Sequence, residues 1–383
     1  MFGKRKICVV TGSRADFGIL YSLMQAIKDD PDLQLQVMLT GSQLVMDDQF
    51  TITAVIETLL YKDSAVSITK AIGLGVIGFA DAFNEHEPDL VVVAGDRYEI
   101  FAAACAAMIA NIPIAHLHGG ESTEAMLDEA MRHSITKMSH LHFVAAEPYR
   151  ERVLQLGENP EYVFNFGAPC LDILEIFADL KRFSLIKKEI FGREIGFEFG
   201  KLNFLVTYHP VTLSETSPRK AVQALCQALD YFPEAHIIFT QQNHDLHNYL
   251  IGDLLCDYAE QHANRMKIYW DLGDMIYYNA MCCCDVVLGN SSSGIIAAPV
   301  LKKPTVNLGD RQTGRLKASS IIDCAENTTA IVQAIAKALS SEFQATLKEV
   351  ESLYGQGQVS MKIKEVLKSV KLEGILLKKF YSR

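Results

Sequence analysis

This sequence lacks C-x-x-C pairs, a long apolar run and an excess of basic residues, and each absence argues against a class of protein. Its 383 residues include nine cysteines, but no pair has the C-x-x-C spacing, which disfavours a zinc ribbon or a disulfide framework. The longest uninterrupted apolar run, 100–110, is too short to cross a bilayer. The 36 Lys and Arg are outnumbered by 46 Asp and Glu, and the net charge of −10 disfavours nucleic acid and anionic membranes as partners. We therefore expect a cytoplasmic protein with reduced thiols, and its N-terminus lacks a signal-peptide core.

The remaining composition and the hydrophobic pattern predict an α/β protein. Apolar residues make up 49% and charged residues 21%, as in globular proteins. Short runs rich in Val, Ile and Leu alternate with helix-length segments, which predicts parallel, doubly wound sheets. The predicted strands are 7–10, 35–39, 90–94, 114–117, 141–145, 204–207, 236–240, 267–269, 286–288 and 305–308.

The chain length suits two domains. No strand pattern occurs between about 167 and 202, so we place the boundary near residue 170. The prediction is an N-terminal domain over 1–170 and a C-terminal domain over 171–360. The segment 361–383 is a basic amphipathic helix, expected to pack back on the N-terminal domain.

Polar segments follow six of the predicted strands directly. They are 11–16, 95–97, 118–121, 208–210, 241–243 and 289–294. Each alone could be an ordinary capped turn. Because ligands of open α/β sheets bind beyond the carboxyl ends of the strands, the six together predict a ligand cleft between the two domains.

Two of these turns are typical of anion-binding loops. The first, 11–14, is neither a G-x-G-x-x-G fingerprint nor a Walker A loop, and Ser13 and Asp16 could equally cap a helix. The second, GNSSSG at 289–294, is the stronger candidate, because hydroxyls and backbone N–H groups can hold an anion without net positive charge.

Acidic and histidine side chains supply the candidates for proton transfer. The carboxylates are Asp96, Glu121, Asp128 and Glu129. The last two are spaced to pair with Arg132 and His133 on one helix, although such pairs also occur on solvated faces. Carboxylates gathered in a cleft can hold a raised pKa suited to acid–base work. His118 and His209 follow strands and are site candidates. The histidines lack metal-ligand spacing, so we predict no metal.

Seven segments carry a family resemblance. They are TGSRADFG (11–18), AGDRYEIF (94–101), HLHGGESTEAMLDEAMRHSITKMSHLHF (116–143), RVLQLGENPEYVFNFGAP (152–169), TYHPVT (207–212), GNSSSGII (289–296) and NLGDRQTGR (307–315). Together they resemble the hydrolysing UDP-N-acetylglucosamine 2-epimerases of bacterial sialic acid synthesis, which are related to the epimerase domain of the animal epimerase/kinase.

The resemblance implies two Rossmann-like domains of the glycosyltransferase-B type with a UDP-sugar in the cleft. It also implies anti elimination of UDP to a 2-acetamidoglucal, then addition of water to give free N-acetylmannosamine, without a cofactor and in a homodimer or higher homo-oligomer. By position, the implied catalytic residues are Asp96, Glu121, Asp128, Glu129 and His209. The implied substrate-binding residues are Arg14, Arg97, His118, His209, Asn243, Ser291, Ser292 and Arg311.

One position departs from the family pattern. Relatives usually carry a glutamate for the ribose hydroxyls where this chain has Ala297. A methyl group cannot accept those hydrogen bonds, so either another group reaches the ribose or uridine binds less tightly.

The sequence leaves several functions open. The first reading is a UDP-N-acetylglucosamine 2-epimerase, and the nearest alternative is a hydrolysing 2-epimerase of UDP-N,N′-diacetylbacillosamine in legionaminic acid synthesis. A glycosyltransferase of the same architecture and a non-catalytic UDP-sugar sensor are further alternatives.

Overall fold

The computed structural model describes residues 3–41, 49–58, 64–178, 187–211, 217–240, 249–270, 272–355 and 357–382, without the side chains of residues 14, 175–178 and 249–250. The chain forms two compact units. Unit 1 comprises Met1–Glu121, Leu127–Asp172 and Tyr354–Arg383, and unit 2 comprises Ser122–Met126 and Ile173–Leu353.

Unit 1 alternates strands and helices around a parallel sheet. Its elements are β1 (Arg5–Thr11), α1 (Arg14–Asp29), β2 (Leu33–Thr40), β3 (Ile52–Ile56), α2 (Ala65–His86), β4 (Leu90–Ala94), α3 (Tyr98–Ile109), β5 (Ile114–Leu117), α4 (Asp128–Met138), β6 (Leu141–Val144), α5 (Glu147–Gln155) and β7 (Val163–Asn165). Helix α6 (Cys170–Ala178) leads out of it. In the described residues the strand order is β3-β2-β1-β4-β5-β6-β7.

Helices cover both faces of this sheet, which explains why its central strands are solidly apolar. On β1, Ile7 and Val9 pack on the α1 side, whereas Cys8 and Val10 pack on the opposite side with Phe79 of α2. All four strand residues are completely buried. A strand buried on both faces needs no polar alternation.

The C-terminal helix, Val359–Ser369, packs on the α1 side of unit 1. The Asp172 carboxylate accepts a hydrogen bond from the Val359 N–H at 2.8 Å, at the start of this helix. Near its end, Lys364 and Lys368 donate to the Asp30 carboxylate at 3.0 and 2.9 Å. These contacts are 187 or more residues apart in sequence, and they tie the end of the chain to its first domain.

Unit 2 repeats the same plan. Its elements are α7 (Lys188–Ile195), β8 (Leu202–Thr207), α8 (Pro218–Leu229), β9 (Ala235–Thr240), α9 (Tyr249–Gln261), β10 (Met266–Tyr269), α10 (Gly273–Cys283), β11 (Val286–Gly289), α11 (Ser292–Ile296), β12 (Thr305–Leu308), β13 (Ile321–Cys324), α12 (Thr328–Leu339) and α13 (Ser341–Thr346). The described strands pair in parallel in the order β10-β9-β8-β11-β12-β13. The predicted class, two parallel α/β sheets, is confirmed.

The unit boundaries differ from the predicted 170 and 360. Tyr354 and the residues after it belong to unit 1, because the Tyr354 hydroxyl lies 2.9 Å from that of Tyr149 and its carbonyl accepts from Ala168 N–H at 2.8 Å. The short segment Ser122–Met126 belongs to unit 2, where Glu124 N–H donates to the Thr313 carbonyl at 3.2 Å. A division of the chain at two fixed positions cannot assign either segment to the unit that it contacts.

Helix α2 stands out by its composition. Among the described helices it is the one long and apolar enough to cross a membrane by length and composition alone. The sequence analysis does not single out this segment. Its Phe79 and Phe83 lie buried in the unit 1 core, so part of the helix serves the fold.

Candidate active site

The loop after β1 is held by a helix cap. Ser13 is the N-cap of α1, and its hydroxyl accepts from Asp16 N–H at 3.2 Å. The Asp16 carboxylate in turn accepts from Gly12 N–H at 3.3 Å. Burial raises the pKa of the Asp16 carboxyl to about 6, although the Arg97 guanidinium and the Ser13 hydrogen bond act to lower it. Ser13 and Asp16 therefore do act as capping residues, as the alternative interpretation held.

Arg132 on α4 gathers the acidic residues of unit 1. It donates to Asp96, which follows β4, to the Glu129 carboxylate at 2.6 Å and to the Glu121 carbonyl at 3.0 Å. Only 1% of Arg132 is exposed. Burial alone would lower the pKa of this guanidinium, but the Asp96, Glu121 and Glu129 carboxylates raise it above its ordinary value. The cluster is a buried cation surrounded by carboxylates.

The turn after β5 needs its two glycines because the backbone is crowded. At Gly120, where φ is +78°, a Cβ atom would lie 2.3 Å from the Tyr149 carbonyl oxygen. This turn brings the His118 Nδ1 atom within 2.7 Å of the Glu121 carboxylate, and both side chains are buried. His118 itself has φ +63°, a left-handed conformation that is uncommon for residues other than glycine. The backbone thus sets the direction of both polar side chains.

Two further histidines have local roles. His133 lies 3.1 Å from Glu129, which confirms the spacing argument for this pair. Arg132 contacts Glu129, three residues before it, and Asp128 is the first residue of α4. His116 bonds the Gly95 carbonyl at 2.8 Å, and burial lowers its pKa to about 3, so it is a neutral core residue.

Asn290 organises the strand ends of unit 2. Its side chain accepts from His209 N–H at 2.7 Å and donates to the His209 carbonyl at 2.8 Å, which joins the ends of β8 and β11. Its own carbonyl accepts from Arg311 at 3.1 Å and from Gln312 at 2.8 Å. Asn290 is completely buried, so these four bonds are made away from water.

The serine turn after Asn290 begins the short helix α11. Ser291 is its N-cap, and the hydroxyls of Ser291 and Ser293 lie 2.9 Å apart. The Tyr277 hydroxyl lies 2.6 Å from Ser293. Ala297 ends this helix and is 1% exposed. The turn is thus an array of hydroxyl groups at the carboxyl end of β11.

The structure brings some of the predicted site residues together, whereas others lie outside the described residues. Asp96, Glu121 and Glu129 meet at Arg132 in unit 1, and His209 and Arg311 meet at Asn290 in unit 2. Arg97 lies in unit 1 with its guanidinium 3.3 Å from the Glu99 carboxylate. Asn243 and the side chain of Arg14 lie outside the described residues. In the described residues, no group of three His, Cys, Asp and Glu side chains is arranged to hold a metal.

Sequence reasoning missed the organising residues. The sequence places Arg132 on one helix face with Asp128, and it gives neither Asn290 nor Gln312 a role as a hydrogen-bonding residue. A signal existed for Asn290, since it stands between a strand and the serine turn. No local signal joins Arg132 to Asp96, because the two are 36 residues apart.

The fold and the grouping of polar side chains at the strand ends define a class, the two-unit Rossmann-like enzymes of the glycosyltransferase-B type. Solved structures with this fold include a UDP-GlcNAc 2-epimerase from Neisseria meningitidis bound to UDP-GlcNAc, with a TM-score of 0.80, 19% identity, and 94% of this chain and 99% of that chain covered. A putative UDP-N-acetylglucosamine 2-epimerase from Listeria monocytogenes matches with a TM-score of 0.80, 18% identity, and 96% and 97% covered.

The chain belongs to the UDP-N-acetylglucosamine 2-epimerase family, whose model matches residues 25–368. It is 38% identical to GDP/UDP-N,N′-diacetylbacillosamine 2-epimerase (hydrolyzing) of Campylobacter jejuni, over 98% of this chain and 99% of that protein. It is 34% identical to UDP-N,N′-diacetylbacillosamine 2-epimerase (hydrolyzing) of Legionella pneumophila, over 98% of each. Polysialic acid biosynthesis protein P7 of Escherichia coli is 34% identical over 91% of this chain and 90% of that protein.

Proposed function

We propose that this protein is a hydrolysing 2-epimerase that acts on UDP-N,N′-diacetylbacillosamine. The observation that carries the proposal is the similarity, along 98% of the chain, to the C. jejuni and L. pneumophila proteins whose names contain this substrate. The first reading of the sequence, UDP-N-acetylglucosamine, becomes the second candidate. It draws support from the 29% identity, over 89% of this chain, to the UDP-N-acetylglucosamine 2-epimerase of Neisseria meningitidis serogroup B.

The proposed reaction has two steps and needs no cofactor. In the first, the C1–O bond to UDP breaks and the C2 proton passes to a protein base, which leaves a glycal with a C1=C2 double bond. In the second, water adds its hydroxyl to C1, and a proton returns to the opposite face of C2. Nucleotide sugar and water are thus converted into UDP and the free 2-epimer. We further propose that the enzyme is cytoplasmic, in keeping with its unpaired thiols, and that it is a homodimer or higher homo-oligomer, as the family resemblance implies.

We assign proton transfer to unit 1, to Asp96, Glu121, Asp128 and Glu129, and leave open which of them is the base. The cluster around Arg132 supports this assignment, because a fixed guanidinium holds carboxylates in defined orientations. Positioned acid–base groups contribute on the order of 10²–10⁴ to a rate. His118 is assigned to substrate binding beside Glu121.

We assign the nucleotide to unit 2, to His209, Arg311, Ser291 and Ser292, together with Asn243. The support is the hydroxyl array and the Arg311 guanidinium at adjacent strand ends. Donors held in place before the reaction stabilise the charge of a departing diphosphate. We also assign Arg14 and Arg97 of unit 1 to the nucleotide, as the family resemblance implies.

Replacing Asn290 by alanine should weaken UDP binding by tenfold or more. The substitution removes two buried side-chain hydrogen bonds that join His209 to β11, and each unsatisfied group costs about 1–3 kcal/mol. Isothermal titration with UDP measures the effect. The exposed Asn165→Ala is the matched control. Equal UDP affinity in Asn290→Ala and wild type would contradict the assigned role.

The substrate is tested by a proton NMR time course in D₂O on four sugars: the UDP and GDP forms of N,N′-diacetylbacillosamine, and UDP- and GDP-N-acetylglucosamine. We expect release of UDP and a free 2-epimer carrying deuterium at C2, fastest from UDP-N,N′-diacetylbacillosamine. The GDP forms are included because one relative's name contains both nucleotides.

The four sugars separate the alternatives. Preferential turnover of UDP-N-acetylglucosamine would replace the substrate proposed here by the second candidate. If every sugar stays intact although the protein binds it, the catalytic proposal fails and a sensor or a glycosyltransferase takes its place.

A further inference from the structure

Glu99 is a buried carboxylate to which the proposed reaction gives no role. It stands in the first turn of helix α3, and only 1% of it is exposed. A carboxylate is rarely buried this completely unless it is paired, because burial removes its hydration. The groups around Glu99 therefore indicate what the burial is for.

Glu99 lies where the ends of three neighbouring strands meet. Strands β2, β1 and β4 are adjacent in the sheet of unit 1. Gly12 follows β1, Gly41 follows β2, and Arg97 and Glu99 follow β4. A Cβ atom added at Gly12 would lie 3.2 Å from the Glu99 Cβ atom, and one added at Gly41 would lie 2.8 Å from Glu99 Oε1. Both turns are therefore built closely around this side chain.

The Glu99 carboxylate holds the Arg97 guanidinium from the inside of the protein. Arg97 Nη2 donates a hydrogen bond to Glu99 Oε1 at 3.3 Å. The Arg97 side chain is 15% exposed, whereas the Glu99 side chain is 1% exposed. A guanidinium carries five N–H donors in one plane, so it can bond Glu99 and still present its accessible edge to a ligand.

Stability of the fold does not account for Glu99. The Asp16 carboxylate also borders Gly12, since Asp16 Oδ2 lies 3.5 Å from the Cβ position of that glycine. Burial raises the pKa of the Asp16 carboxyl, and the nearby Glu99 charge raises it further. Among the residues that the structure describes, Glu99 Oε2 has no hydrogen-bond partner. Like charges held close together and an unsatisfied buried oxygen both cost free energy, and proteins keep such groups chiefly at functional sites.

We infer that Glu99 is a positioning residue for nucleotide binding, which orients the Arg97 guanidinium toward the diphosphate. This inference rests on the proposed function, in which Arg97 contacts the nucleotide. A guanidinium binds phosphate oxygens through paired N–H donors, so the direction of its plane decides whether both donors are used. Glu99 fixes that plane through a hydrogen bond between two charged groups, and Gly12 and Gly41 leave room for the carboxylate.

The test is a double-mutant cycle on the affinity for UDP, measured by isothermal titration of the full-length protein. Arg97→Met should weaken UDP binding by about tenfold or more, because a charged donor is lost. Glu99→Met should also weaken it by about tenfold, although the buried Glu99 does not reach the ligand. In the Arg97→Met background, Glu99→Met should change the affinity less than about twofold, because no guanidinium is left to orient.

A conservative variant and a control distinguish positioning from folding. Glu99→Gln keeps an acceptor for Arg97 but not the charge, so its UDP affinity should lie between those of wild type and Glu99→Met. It also replaces Glu99→Met in the cycle if that variant does not fold. The matched control is Glu158→Gln, because Glu158 is a second buried glutamate of unit 1, 2% exposed and bonded to Lys137 at 2.6 Å. This control should lower the midpoint of urea unfolding and leave the UDP affinity of the folded protein unchanged.

The outcomes separate this inference from the proposed function. Wild-type UDP affinity in either Arg97→Met or the Glu99 variants overturns the inference, and so does an undiminished effect of Glu99→Met in the Arg97→Met background. A loss of UDP affinity in Glu158→Gln as large as that in Glu99→Gln also overturns it, because any buried charge would then have the same effect. In all these cases UDP still binds and the proposed function stands. A wild-type protein that does not bind UDP overturns both.

Discussion

Asp96→Asn should lower turnover by about 10²–10⁴ while changing the affinity for UDP less than tenfold. The amide has the shape of the carboxylate and still accepts a hydrogen bond from Arg132, but it cannot take up a proton at neutral pH. An acid–base role therefore predicts a loss in the chemical step rather than in nucleotide binding. The measurement is the NMR assay for turnover combined with UDP titration.

A control variant and an isotope measurement show whether the loss of turnover in Asp96→Asn reflects proton transfer. Asp257→Asn, an exposed aspartate in unit 2, should behave as wild type in both assays. Deuterium incorporation at C2 in any residual product shows whether elimination still occurs. A rate for Asp96→Asn within a few-fold of wild type would remove Asp96 from the proton-transfer set.

Arg132→Met should be the most damaging single change in unit 1. It leaves the carboxylates of Asp96, Glu121 and Glu129 without their shared cation, and breaking a buried ion pair typically costs about 3–5 kcal/mol. We expect a lower urea midpoint and loss of turnover even under conditions where the variant is fully folded. Urea unfolding and the NMR assay together measure both effects.

Two further arginine variants distinguish an effect on the orientation of the carboxylates from an effect on the stability of the fold. Arg132→Lys keeps the charge but loses the forked geometry, so it should retain more stability than the methionine variant and still turn over slowly. Arg265, a buried arginine in unit 2 that bonds the Phe232 carbonyl at 3.2 Å, provides the control. Arg265→Met should lose stability but keep turnover in its folded fraction. If Arg132→Met shows the same combination, Arg132 is a structural residue only.

The sequence predicts correctly the strands whose residues are buried on both faces of a sheet. The strand Leu90–Ala94 is predicted and found with the same bounds, and all five of its residues are buried. The strands Ile52–Ile56, Val163–Asn165 and Ile321–Cys324 were missed. They lie at or next to the sheet edges, partly exposed, where the chain needs no solid apolar run.

The sequence predicts which residues belong to the candidate site, but it does not predict which of them contact one another. The sequence singles out Asp96 and Glu121, because polar residues directly after buried strands collect at one edge of a parallel sheet. It singles out Glu129 by its helical spacing from His133. It paired Arg132 with Asp128 but did not reveal that Arg132 also bonds Asp96 and Glu129. Helical spacing indicates which residues share a face, but the rotamer and the neighbouring strand decide which of them bond.

The sequence by itself determined the α/β class, the alternation of strands and helices, the chemical groups at the strand ends and the family. These follow from local periodicity, which reports burial, and from short motifs. Only the tertiary structure decided that Arg132 bonds the carboxylates of Asp96 and Glu129, that Asn290 joins His209 to β11, and that α2 keeps a second apolar face exposed. Each of these depends on segments distant in sequence, and their contacts are set by strand order and backbone turns rather than by local pattern.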